Sequence, residues 1–134
     1  PSRAAEGVFR EYGGRQVRTL TDSICNADPT QHIIVMGDMN TSPKDDMRGM
    51  SNMMLDIQHN GQGTHKFQGQ WTCLDQFYVS SSLQPFSSVN IYSPSWLLEE
   101  DTKYLDHQPL RTYAGYRYND GYSDHLPIVL TTSL

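Results

Sequence analysis

Near the C-terminus a serine, an aspartate and a histidine stand in a row, Ser123-Asp124-His125, just before the apolar run that Pro127 leads. A carboxylate beside an imidazole at the entrance of a strand joins a hard oxygen donor for a divalent cation to a group that moves a proton near neutral pH. Serine and aspartate also build ordinary turns by hydrogen-bonding nearby backbone, and the tripeptide alone favours the turn. Two other stretches shift that balance. Asp38 and Asn40 follow the apolar run in "IIVMGDMN", at a strand end of the kind where ligands collect in open α/β folds. A capped turn also accounts for Asp38, although Ser42 already supplies a cap. Asp75 lies inside "WTCLDQFYVS", and aspartate is depleted in strands. On the face of Phe77 and Val79 it would point toward the core and need a partner. A histidine fits, because a carboxylate fixes the ring tautomer and supports the charged form. An edge aspartate turned to solvent is the alternative.

"GYSDH" begins like the nucleophile elbow G-x-S-x-G but carries His125 where the turn needs glycine. A strand follows rather than a helix, so a serine hydrolase is excluded on both counts. Upstream, "RTYAGYRYNDGY" places Arg111 and Tyr116 in a loop that runs into Ser123. Arginine and tyrosine there could meet a phosphate or a stacked ring, while most tyrosines of such a loop simply cover a sheet edge.

The elements that must position these residues alternate in type. Apolar residues at helical spacing from Val8 to Ile24 predict a helix, running either throughout or only from about Arg15, after the Gly13-Gly14 interruption. Pro29 ends it. "HIIVMG" reads as a buried strand. Ser42, Pro43 and Asp45 then supply helix-start chemistry, predicting a helix to about Leu55. Two strands around a turn at Gly69-Gln70 follow, then a strand in "FSSVNIYS", a helical turn in "SPSWLLEED", a long loop and a last strand over Pro127–Thr132. The class is α/β.

With 134 residues the chain suits one domain with a single core. A net charge of −5 and a pI near 5.4 lack the basic footprint of a general nucleic-acid binder, yet leave metal-assisted phosphate chemistry open. Mean hydropathy is −0.60, and the longest apolar run is far too short to span a bilayer. Two cysteines, Cys25 and Cys73, form neither a disulfide framework nor a metal motif, which predicts two buried or partly buried thiols.

In order, "IIVMGDMN", "WTCLDQFYVS" and "YSDHLPIVL" resemble the C-terminal half of the endonuclease/exonuclease/phosphatase superfamily. The resemblance implies a mixed sheet with flanking helices, one half of a four-layer α/β/β/α sandwich, spanning residues 1–134, with the N-terminal half outside the sequence. It implies a divalent-metal-dependent phosphoesterase that uses Mg2+ or Mn2+ and acts on a nucleic-acid, lipid or sugar phosphate. Asp38 would align or deprotonate the attacking water, and Asn40 would hold the phosphate or a second metal position. Asp124 would ligate the cation, His125 would contact the scissile phosphate, and Asp75 would orient His125. The family's N-terminal glutamate ligand has no match here, so these residues alone are expected to be inactive. Loss of half the sandwich would also uncover an apolar sheet face, carrying residues such as Phe77 and Val79, to be covered by the other half or by self-association. A catalytically silent binding module that keeps the fold is the rival reading.

Overall fold

The computed structural model describes residues 7–133. A helix, α1 (Val8–Ala27), runs straight through Gly13 and Gly14, so the glycines cost helix stability without breaking it. It leads to β1 (Ile34–Asp38), β2 (Met50–Asn52) and a short helix α2 (Leu55–His59). Then come β3 (His65–Phe67), β4 (Gln70–Thr72), β5 (Asp75–Ser80) and β6 (Ser87–Ile91). A 3-10 turn over Ser95–Leu97 precedes β7 (Leu98–Asp101) and β8 (Asp106–Pro109), and β9 (Tyr113–Ala114), β10 (Arg117–Tyr118) and β11 (Ile128–Thr132) complete the order. The class is a mixed α/β fold with antiparallel pairing throughout these strands.

The central sheet has the order β1-β5-β2. β5 lies between two neighbours and is buried from Gln76 to Ser80, whereas β1 is an edge strand. The apolar run expected to be buried is therefore half solvated: Ile34 and Met36 are 47% and 70% exposed. Their cross-strand partners are Val79 and Phe77, which are buried. The uncovered apolar surface thus falls on β1 rather than on Phe77 and Val79. Across the sheet, Tyr78 packs with Met47 and Met50, against which Ile33, Val35 and Met39 lean.

The helix expected after Ser42 does not form. Gln76 donates its side-chain amide to the Thr41 carbonyl (2.6 Å) and Asn52 donates to the Lys44 carbonyl (3.1 Å). Gln76 is fully buried and ties down Thr41 just before the expected helix, while the Lys44 carbonyl taken by Asn52 is one that helix would need for its own ladder. Buried amides demand partners, and that demand overrides the local capping signal. The β3–β4 turn is Gln68-Gly69, one residue earlier than expected, with φ of 49° and 81°. Two successive positive φ values are what a tight two-residue hairpin requires. The expected helical turn forms over Ser95–Leu97 but gives way to β7, and the region expected as a long loop holds β8 and the β9–β10 hairpin.

Lys66 ties these parts together. Its side chain is 1% exposed and reaches Asp106 at 2.8 Å and Asp101 at 3.3 Å, and it also donates to the His107 carbonyl at 2.9 Å. The β3–β4 hairpin is thereby clamped to β7–β8. The following segment closes on itself: Asn119 N–H donates to the Thr112 carbonyl and Tyr122 N–H to the Leu110 carbonyl, both at 2.8 Å. A Cβ at Gly121 would lie 2.3 Å from the Leu110 oxygen, so this neck admits only glycine.

Asp106 is drawn down to about 2 by the hydrogen bond from Lys66, aided by the His107 N–H and the Trp71 indole. A carboxylate whose folded pKa lies below its unfolded one stabilises the fold above the unfolded value and ceases to as pH falls through the folded value. That contribution should fade between about pH 4 and pH 2, and Asp106→Asn should remove the fading from acid-unfolding curves. Lys66→Ala, which leaves Asp101 buried without its cation, should lower stability by about 3 kcal/mol or more in urea denaturation.

Candidate active site

β1 ends at Asp38 and β5 begins at Asp75, and the two are directly paired across the sheet. The sequence therefore brings two acidic residues to one end of the central sheet. His125 enters from the segment before β11, through a bridge between His65 and His125 and a hydrogen bond from the Leu126 N–H to the Thr64 carbonyl (2.7 Å). The Thr64 hydroxyl accepts the Leu74 and Asp75 N–H groups at 3.1 and 3.2 Å. One buried threonine thus fixes the starts of both β5 and the His125 segment.

His125 Nδ1 lies 2.6 Å from Asp75 Oδ2, with side chains 18% and 21% exposed. An ionised carboxylate only accepts, so Nδ1 carries the proton and donates it. That hydrogen bond raises the His125 pKa, opposed by burial and helped by the charges of Asp75, Asp124 and Asp38. Burial works against the Asp75 anion, but the hydrogen bonds from His125 and Thr64 and the imidazolium charge outweigh it and hold the group below the usual carboxylate range. Ser123 serves the turn: its hydroxyl accepts the His125 N–H at 3.0 Å. The turn reading of the tripeptide thus accounts for the Ser123 hydroxyl, while the His125 ring is turned to Asp75.

Asp38 accepts the Asn40 backbone N–H at 2.8 Å and its side-chain amide at 3.0 Å. Asn40 has φ of 51°, a conformation that asparagine tolerates better than most residues. Arg10 donates to its carbonyl at 2.6 Å. Asp38 thus shapes the turn and fixes Asn40, leaving one amide hydrogen and the remaining carboxylate lone pairs free. Arg111 donates to the Lys66 carbonyl at 2.6 Å, and its Nε is buried without a partner. Together with Asp124, Ser123 and Tyr122 it lines a cavity of about 320 Å³. Tyr116 is fully exposed, at the β9–β10 turn and outside that lining. The structure brings together Asp38, Asn40, Asp75, Asp124, His125 and Arg111, and does not bring Tyr116 to them.

His65 is the neighbour that sequence reasoning missed. Its ring centroid lies 4.9 Å from that of His125, and one ligand atom each from His65, Asp124 and His125 lie within 4.8 Å of one another. Burial, then the charges of His125 and Arg111, lower its pKa, against the opposing pull of Asp124 and Asp75. The available signal was alternation: with Lys66 inward, His65 must face the other way. Cys25 and Cys73 are both free thiols, Cys73 buried and raised to about 11 by burial.

Residues 8–133 match the endonuclease/exonuclease/phosphatase family. The chain belongs to that family. No curated protein and no solved structure matches it significantly. Members are hydrolases that act on phosphate esters and generally depend on a divalent metal. Among the described residues no helix is long and apolar enough to cross a membrane. For a hard divalent cation, Asp124 and Asp38 offer oxygen donors of the required kind, and both lie close enough to His125 to raise its pKa.

If Asp75 supports the imidazolium, Asp75→Asn should lower the His125 pKa in an NMR titration. An unchanged midpoint in a folded variant would refute the pairing.

Proposed function

We propose that this chain is the C-terminal part of a divalent-metal-dependent phosphoesterase, hydrolysing a phosphodiester or phosphomonoester at the end of the central sheet. The observation that carries the reading is the 2.6 Å Asp75–His125 pair, set among Asp38, Asp124 and Arg111. His125, oriented through Nδ1, presents Nε2 to the scissile phosphate, where it donates a hydrogen bond or passes a proton to the leaving oxygen. Asp75 acts through His125 as a positioning residue. Asp38 aligns the attacking water and accepts its proton, and Asn40, held by Asp38, directs its remaining amide hydrogen at a phosphate oxygen. Arg111, which lines the same cavity as Asp124, adds positive charge near the phosphate.

Asp124, with Asp38 and Asn40 beside it, would hold Mg2+ or Mn2+, which when bound neutralises charge on the phosphate oxygens. A further carboxylate ligand belongs to this reading. The natural protein would supply it on a second half of an α/β/β/α sandwich, whose sheet would cover Ile34 and Met36. Where that half is lacking, self-association would cover them. The wide, polar surroundings of Arg111 leave nucleic-acid, lipid and sugar phosphates open as substrates.

Phosphate-ester hydrolysis by the full-length natural protein should require Mg2+ or Mn2+. Asp38→Ala, Asp124→Ala and His125→Ala should each reduce kcat by roughly 10²-fold or more, with folding checked by circular dichroism. Undiminished activity in the triple variant would end this assignment, and a folded full-length protein inactive on every phosphate-ester class would favour a binding module.

A further inference from the structure

The phosphoesterase reading leaves His65 without a task, although its ring sits beside His125 and one of its nitrogens lies within 4.8 Å of donors from Asp124 and His125. Two imidazole nitrogens and one carboxylate oxygen are a poor set for Mg2+, which prefers oxygen alone. They are a good set for zinc and its first-row neighbours, which are commonly held by two histidines and a carboxylate with one position left open. The surroundings are also those of a built site. His125 Nδ1 donates to Asp75 at 2.6 Å, so Nε2 is the atom left for a ligand. A carboxylate behind a histidine in this manner fixes the ring and raises its basicity toward a metal. The His65 backbone is fixed in β3 and bridged to His125, and the Asp124 backbone is held between Ser123 and His125 by the hydroxyl turn.

We propose that His65, Asp124 and His125 form a binding site for a zinc-class transition-metal dication, distinct in donor chemistry from the oxygen-donor position assigned to magnesium. With metal–ligand bonds of about 2.1 Å, tetrahedral donors stand about 3.4 Å apart, so closing the site from its present spacing needs only small side-chain rotations. Occupation takes the Nε2 lone pair of His125 and one carboxylate oxygen of Asp124. If the phosphoesterase reading is right, zinc therefore withdraws both groups from the substrate and slows a magnesium-supported reaction. The binding site itself does not depend on that reading.

The test is a calorimetric titration of the full-length protein with ZnCl2 in excess Mg2+, repeated with His65→Gln, and an NMR titration of the histidine ring protons. One equivalent of zinc should bind and resist magnesium, and His65→Gln should weaken it roughly tenfold or more. Of the five histidines in this sequence, His65 and His125 should shift together with zinc, while His32, His59 and His107 should not. No saturable binding would overturn the proposal. So would unchanged affinity in His65→Gln, or shifts confined to the other three rings. The ring-proton shifts need no variant, so a misfolded His65→Gln leaves the test intact. A protein that binds zinc in this way yet hydrolyses no phosphate ester would retain the metal site and lose only the enzymatic reading.

Discussion

A single ammonium group, enclosed by protein, governs how the candidate site of this molecule is arranged. Lys66 Nζ sits between Asp101 and Asp106 and beneath the Trp71 ring, with almost no access to water. An unpaired charge there would cost several kcal/mol, so the β7–β8 hairpin cannot lift away without a large penalty. Because β3 alternates its side chains, the inward Lys66 turns His65 outward against His125. The Lys66 carbonyl in turn receives Arg111. A three-residue strand thus sets the positions of a buried ion cluster, an imidazole and a guanidinium.

Around that frame the polar side chains divide their atoms between holding and offering. His125 gives Nδ1 to Asp75 and keeps Nε2. Asn40 gives one amide hydrogen to Asp38 and keeps the other. Arg111 gives one terminal nitrogen to the Lys66 carbonyl and brings its charge to the cavity beside Asp124. Each ordering bond removes rotamer freedom before any ligand arrives, and that loss would otherwise fall on binding. The geometry also mixes two donor characters within 4.8 Å: a carboxylate oxygen of Asp124 and the ring nitrogens of His65 and His125.

The legible part of this protein was the part written locally. Asp75 was readable because aspartate is depleted in strands, whereas Asp38, Asn40 and Asp124-His125 suit ordinary turns and were readable only from the order in which the three motifs occur. The helix after Ser42 was misread for the complementary reason. Its capping residues are sound, but Asn52 claims the Lys44 carbonyl that helix would use, and the distant Gln76 holds Thr41 just before it. The burial of β1 was misread because an apolar run does not say whether its strand lies at a sheet's centre or edge. His65 left only the faint trace of alternation against Lys66, since its meaning comes from a bridge to a residue sixty positions later. Sandwich-level organisation lies further still from anything a short motif encodes.

The neck at Gly121 bears on how such a protein diversifies. Residues 110–112 and 119–122 are laced by backbone bonds, and the Thr112 hydroxyl donates to the Tyr122 carbonyl at 2.9 Å. Beyond them the β9–β10 tip reaches the cavity through Tyr113, while Tyr116 stands clear of it. Descendants of this sequence can therefore lengthen, shorten or recolour the tip, exchanging tyrosines for charges or sugars' hydroxyl partners, while Arg111 and Asp124 stay where they are. A side chain at position 121 would part the two strands of the neck and shift both residues at once. Novelty is thus channelled outward, onto the rim that an incoming molecule meets first, and the chemistry behind it is insulated from the experiment.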